Sequence, residues 1–314
     1  MLERALRQGV LTVAGNRSVE RIVRTAPTAR QLVRRFVAGD DVRTAIDVVR
    51  AIAAQGMSAT LDQLGENVRT EAATNAAAAT YIDVLRRMAA AGVDPSISVK
   101  LSMLGMDIDD RLPESIMPSI LEVAREVGGF VRIDMEGSAY TERTLAIAER
   151  LHMRFPEQVG TVIQAYLYRS PADLDRLIAR NMRVRLVKGA YAEPASIAYQ
   201  RPRDIDAAFV RLMERLLDAG PYPAIATHDP ALLLAAKGYA TRMGIGRDRF
   251  EFQMLYGVRR DEQRALAAEG YRVRVYVPFG TEWYPYFTRR IAERPANALF
   301  VLRQLLDRAD RARN

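Results

Sequence analysis

The chain has 314 residues, 49% of them hydrophobic and 27% charged, with 46 basic against 38 acidic side chains and a net charge of +8. That balance is near the globular average and excludes a wholly disordered, collagenous or coiled-coil chain. The absence of cysteine excludes disulfides and thiolate-held metals, and with two histidines a zinc site would have to be built from carboxylates, so no metal is expected.

No run reaches 18 apolar residues, so no spanning helix is expected. The N-terminal MLERALRQGVLTVAGNRS lacks the build of a signal peptide, and a cytoplasmic chain is the expectation. Residues 1–50 hold ten arginines and five acids, a net +5 that accounts for most of the excess. Such a segment suits a solvated helical face, and it also suits contact with nucleic acid or with the inner face of an anionic membrane. Lysine is rare: Lys100, Lys188 and Lys237 stand against 43 arginines.

Residues 1–56 read as a helical segment, with apolar positions three and four apart. Pro27 and Gly39-Asp40-Asp41 divide it into about three helices. From residue 57 to 314 the pattern changes to short apolar or β-branched runs alternating with longer amphipathic ones. The expected strands are MSATL (57–61), SISVKLS (96–102), FVRIDME (130–136), TVIQAYLY (161–168), RVRLVKGAY (183–191), AIATH (224–228), RFEFQML (249–255) and VRVYVPFG (273–280). Several of the runs between them open at Pro or Asp and close at Gly or Asn, as helix ends prefer. Eight strands alternating with eight helices over about 250 residues predict a (β/α)8 TIM barrel. Beyond the last strand, Pro285 opens a helix, Pro295 ends it, and 297–311 form a final amphipathic helix.

Reactive groups of such a barrel sit at the C-terminal ends of its strands. In chain order those ends offer Glu66 after the first strand, Lys100, then Asp134 and Glu136, then Gln164 with Arg169 beyond it. Arg185, Lys188 and Tyr191 follow, then Thr227, His228 and Asp229, then Gln253, and finally Tyr276. His152 falls in a helical run away from these ends and reads as structural, and Asp229 reads as a helix N-cap. There is no G-x-S-x-G elbow, no GxGxxG and no GxxxxGK[ST]. In RVRLVKGAY a strand ends in cations and a glycine, which suits phosphates or an anionic cofactor approached closely by backbone. In YPYFTRRIAER, Tyr286, Arg289, Arg290 and Glu293 share one helix face, a receptor for a small carboxylate.

In their order, SVKLS, RIDMEGS, IQAYLYR, RLVKGAY, ATHDP, FEFQMLYG, YVPFG and Y-x-x-R-R-x-x-E followed by RPAN resemble the proline dehydrogenase family over about residues 57–300. With no further catalytic module, the chain looks like the stand-alone bacterial form and not the form fused to an aldehyde dehydrogenase. The resemblance implies a distorted (β/α)8 barrel holding non-covalent FAD. It implies oxidation of L-proline to Δ1-pyrroline-5-carboxylate, with electrons passed to a membrane quinone and a separate pyrroline-5-carboxylate dehydrogenase downstream. By position, Arg289, Arg290 and Lys100 would clamp the proline carboxylate, and Tyr276, Tyr286 and Leu255 would pack around the ring. Asp134 matches the position usually given an acid/base role, and Arg185 would approach the flavin N5 edge. Met135, Gln164, Val187, Lys188, Gly189, Ala190, Thr227, His228 and Gln253 would hold the cofactor. Glu293 would anchor the last helix, and Glu66 would pair with Arg289 as a gate. Two departures stand out: Asp229 replaces the asparagine common after this histidine, and the turn from Gly280 to Tyr286 is shorter than in the fused enzymes.

Two other readings remain at this point. A dehydrogenase of hydroxyproline or another cyclic imino acid would use the same scaffold, although bulky Tyr276 favours an unsubstituted ring. A basic nucleic-acid-binding module fits the composition, but no helix-turn-helix, zinc finger or RNA-binding motif is present.

Overall fold

Helix α1 (Val42–Ala53) begins where Asp41 accepts a hydrogen bond from the Thr44 backbone N–H at 2.9 Å, satisfying one of the open donors of the first turn. Ala45, Ile46, Val49 and Ile52 recur at helical spacing and form its buried face. The computed structural model describes residues 20, 24, 33–65 and 68–292, without the side chains of 289, 291 and 292.

Eight strands follow, all parallel and paired in sequence order into a closed barrel: β1 (Ser58–Gln63), β2 (Ser96–Val99), β3 (Phe130–Ile133), β4 (Val159–Gln164), β5 (Arg183–Val187), β6 (Ala224–Ala226), β7 (Glu251–Leu255) and β8 (Arg272–Phe279). Closure runs the whole length of β1, from Ser58 opposite Arg274 to Gln63 opposite Phe279. The crossovers are α2 (Glu71–Ala90), α3 (Arg111–Glu126), α4 (Ser138–Arg154), α5 (Ser170–Ala179), α6 (Pro202–Ala219), α7 (Pro230–Arg242) and α8 (Arg260–Ala268). Their apolar faces and the outward side chains of the strands make one continuous core. Buried on both faces, the strands read as near-continuous apolar runs, as parallel sheets require.

The expected barrel is present, with two differences in detail. Several sequence runs overshoot their strands. SISVKLS stops pairing at Val99 and winds into a short 3-10 turn, Leu101–Leu104, closed by Gly105 at φ 88°. The apolar character continues because the turn is buried, although its ladder has ended. MSATL errs the other way, since β1 continues through Asp62 and Gln63.

The second difference concerns the helix after β8. Seven crossovers leave the outer slot between β8 and β1 uncovered, and α1 fills it from the other end of the chain, packing on both strands. Its lead-in is pinned there: Ala38 N–H donates to Pro278 O at 2.8 Å and Gly280 N–H to Gly39 O at 2.9 Å. Helix α9 (Tyr284–Ala292) is therefore released from the barrel wall. Trp283, Tyr284, Tyr286 and Phe287 pack instead on Val33, Phe36, Val37 and Leu64, which seats α9 at the mouth. Pro285 lies in its first turn, as expected. The stop at Pro295 and the helix over 297–311 fall outside the described residues.

Candidate active site

The C-terminal ends of the strands open into one cavity of about 1180 Å³. Its floor is charged. Asp62 lies opposite Ser98 in the β1–β2 register, and Lys100 follows two residues later, so the two inward side chains meet. Lys100 Nζ donates to Asp62 Oδ1 at 2.8 Å, with the aspartate 1% and the lysine 9% exposed. Burial opposes the lysine's charge, but Asp62 and Asp134 outweigh it and hold the ammonium pKa above its ordinary value.

Asp134, the residue after β3, takes two hydrogen bonds at its two oxygens. Arg185 Nη1 donates to Oδ1 at 2.7 Å, and the Tyr276 hydroxyl donates to Oδ2 at 2.7 Å. Arg185 points inward from β5, donates also to Gln253 Oε1 and to Ser98 Oγ, and lies 5.2 Å from the centre of the Tyr276 ring. Tyr276 is the fifth residue of β8, not its end. Burial, with Asp134 and Asp62 nearby, pushes its phenol well up, so it remains a donor. Lysine, arginine, tyrosine and two aspartates thus converge below the mouth.

Around the wall, Met135, Gln164, Val187, Gly189, Ala190, Thr227 and Leu255 all face the same cavity. Gln164 is fixed by donating to Glu136 O at 3.0 Å. Gly189 has φ 126°, and a Cβ there would overlap the Tyr166 ring, so only glycine permits the chain to pass. Lys188 donates to Asp229 at 2.8 Å and also pairs with Asp206. Burial opposes its charge, but those two carboxylates raise its pKa. His228 Nε2 accepts from Leu255 N–H at 2.8 Å, which identifies that nitrogen as unprotonated. Asp229 caps α7, as expected, accepting from Ala231 N–H at 3.0 Å.

The roof is α9. Tyr286 and Arg290 reach the cavity, with the Arg290 guanidinium 5.4 Å from the Tyr286 ring centre. Glu66, Glu293 and the side chain of Arg289 lie outside the described residues.

Two strand-end candidates, Glu136 and Arg169, do different work. Glu136 turns away from the cavity and accepts from Ser102 N–H and Oγ, at 3.2 and 2.6 Å, which holds the 3-10 turn. Arg169 pairs with Asp173 and Glu142 outside the cavity. His152 is buried in α4 with Nε2 3.0 Å from Arg180 O, consistent with its structural reading. Asp62 is a site residue that lies one position beyond the strand expected from the sequence, which ends at Leu61. A signal was present: Ala59, Leu61 and Thr60, Asp62 alternate, which puts an acid on an inward position. Asp40 and Asp41, on the lead-in to α1, also border the mouth, and nothing local in the sequence points to that.

Comparison with known proteins matches residues 45–303 to the family model described as proline dehydrogenase. A curated proline dehydrogenase from Deinococcus radiodurans is 43% identical over 310 residues, covering 98% of this chain and 99% of that protein. Proline dehydrogenase 1 of Bacillus subtilis (strain 168) is 40% identical over 301 residues, 96% of this chain and 99% of that protein. Among solved structures, proline utilization A from Bdellovibrio bacteriovorus, inactivated by N-propargylglycine, superposes with a TM-score of 0.79 at 25% identity. The match covers 85% of this chain and 33% of that longer one.

Proposed function

This chain belongs to the proline dehydrogenase family, and from that premise we propose that it oxidises L-proline to Δ1-pyrroline-5-carboxylate on bound FAD, with the electrons passing to a membrane quinone. The observation that carries the reading is the buried Lys100–Asp62 and Arg185–Asp134–Tyr276 array directly beneath Arg290 and Tyr286.

The residues suit FAD by volume and by chemistry. Drug-sized ligands occupy cavities of about 300–1,000 Å³, and about 1180 Å³ leaves room for a dinucleotide beside a small imino acid. Lys188 and the N-terminus of α7 face the cavity together, and a diphosphate would take them by displacing the carboxylates of Asp206 and Asp229. Gln164, Gln253, Thr227 and His228 offer polar groups to a ring and sugar chain, while Met135, Val187, Gly189 and Ala190 shape the wall. When bound, FAD supplies the acceptor for the hydride, a chemistry no side chain here can provide.

The chain's own task is placement. Arg290, Arg289 and Lys100 take the proline carboxylate, and Lys100 does so as a cation because Asp62 keeps it charged. Tyr276, Tyr286 and Leu255 close around the ring, exclude water and orient the carbon beside the nitrogen. That nitrogen must be unprotonated when the hydride leaves, so its proton departs beforehand. Lys100 is not the acceptor, since it is already protonated. Asp134 fixes Arg185 and Tyr276 in one arrangement, and Arg185 presents positive charge where negative charge develops. The family resemblance gives Glu66 and Arg289 a gating role and Glu293 an anchoring one. The product passes to a separate pyrroline-5-carboxylate dehydrogenase. No described helix is long and apolar enough to cross a membrane, so contact with the quinone is peripheral in this reading.

An anaerobic visible spectrum before and after L-proline tests the proposal. Flavin bands that bleach with proline are expected. Bands that persist with proline and bleach with hydroxyproline would move the assignment to that substrate. A colourless protein that takes up no FAD would overturn it.

A further inference from the structure

At the opposite end of the barrel lies a second cavity, of about 300 Å³, among the N-terminal ends of the strands. Four arginines line it: Arg132 on β3, Arg183 and Arg185 on β5, and Arg274 on β8, with Arg185 already paired to Asp134. Arg274 is answered twice, by Glu251 at 3.0 Å and by Asp94 at 2.7 Å. Those two carboxylates are thereby engaged. Arg132 and Arg183 make no ion pair among the described residues. Arg132, 3% exposed, donates Nη1 to the carbonyls of Thr161 and Arg183, at 3.1 and 2.6 Å. Arg183 lies between the rings of Phe130 and Tyr222, at 4.5 and 4.6 Å. Both keep a buried Nε with no hydrogen-bond partner.

Two neighbouring cations whose nearest acid, Glu251, is already hydrogen-bonded to Arg274 are costly where water is scarce, and a guanidinium N–H left open there is a further cost. Burial, and then the charge of Arg185, press the Arg132 pKa well below its ordinary value, and Glu251 offsets only part of that. The wall leaves space for the cluster: Gly160 faces it, and a Cβ there would press on Arg132 Nη1 and the Arg183 carbonyl. Glu157 stands at the rim but is exposed, so water answers its charge.

We propose that this cavity is a binding site for one small inorganic anion, phosphate or chloride, held between the guanidiniums of Arg132 and Arg183. Guanidinium suits such ligands, because it presents several N–H groups in a fixed plane, and an anion there would favour its charged form. The site is on the face of the barrel that carries stability, not chemistry. Its anion is a structural partner, and Arg185 and Gln253 form the partition between this cavity and the mouth.

The test uses FAD-loaded enzyme with saturating proline analogue, so the mouth is occupied. Thermal unfolding is followed while phosphate, or chloride, replaces gluconate at constant ionic strength. An anion that binds only the folded state raises Tm by about 2–4 °C per kcal/mol of linkage in a chain this size. A rise with phosphate identifies the oxyanion as occupant, and a rise with chloride alone identifies the halide. The rise must vanish in Arg183→Met, with proline turnover kept. If that variant does not fold, crystals of the wild type soaked in bromide give the answer from anomalous scattering between Arg132 and Arg183. A Tm indifferent to all three salts, or a bromide-free cavity in crystals whose halide sites elsewhere are filled, would overturn the proposal and leave ordered water as the partner.

Discussion

Lys100 and Asp62 are each buried, and each makes the other tolerable. Removing one partner strands a charge, which typically costs about 3–5 kcal/mol, whereas replacing both with apolar groups is often neutral. Lys100→Ala should therefore lower stability by about that amount in a urea titration. The double substitution Lys100→Met/Asp62→Leu should recover most of the stability and none of the proline affinity, separating the fold from the carboxylate clamp. A pH prediction follows from the same floor. The Lys100 and Tyr276 pKa values are both raised on folding. A group raised in this way stabilises fully below its unfolded pKa and loses that contribution as pH climbs toward the folded value. With unfolded values of about 10.4 and 10, both contributions are intact at neutrality and decline above about pH 10. The urea midpoint should thus fall above pH 10, and less steeply in Lys100→Met.

Helix α9 depends for its place on aromatic side chains next in sequence to the arginines it carries. Phe287 is 1% exposed and packs with Trp283 at 5.9 Å between ring centres. Phe287→Ala removes about 3–5 kcal/mol of packing. Loosening the roof should raise KM for proline by tenfold or more and change kcat much less, since the floor stays intact. The strand and helix alternation was legible because parallel strands buried on both faces are short, apolar and β-branched, while crossovers keep a 3.6-residue stripe. Strand ends were less legible. Burial persists past the last ladder bond at Lys100 to Leu104, and burial is what the pattern reports. The place of α9 beside the mouth was legible from the face that carries Tyr286 and Arg290. The N-terminal helical segment was expected to pack on the barrel, but nothing in the amphipathic stripe of α1 says that it covers the β8–β1 slot.

For the molecule as a whole, the barrel interior departs from the layered branched apolar filling usual in this architecture. A ladder of polar contacts descends the axis from Tyr276 and Asp134 through Arg185 and Gln253 to Glu251, Arg274 and Asp94. Single strands could be seen to carry inward Arg, Glu and Gln. Their partners are up to 180 positions apart, as for Arg274 and Asp94, and no local pattern links them. The net charge of +8 is a molecular property with its own test. If the basic N-terminal half-hundred residues bring the enzyme to quinone-bearing membranes, pelleting with anionic vesicles should be strong at low salt. It should vanish as the screening length shrinks from about 10 Å at 0.1 M to about 3 Å at 1 M. Pelleting that ignores salt would remove the electrostatic account.

Closing the β8–β1 slot with α1 also fixes an order of events during synthesis. Arg274 on β8 reaches the Ala59 carbonyl on β1 across 215 positions. Helix α1 leaves the ribosome among the first described elements, yet part of the surface it covers belongs to the last strand. Its apolar stripe of Ala45, Ile46, Val49 and Ile52 must wait, unsheltered, for nearly the whole barrel to be made. Contacts of such long range are slow to form. The nascent chain therefore has its most adhesive moment early, and its final annealing step is the docking of its own beginning.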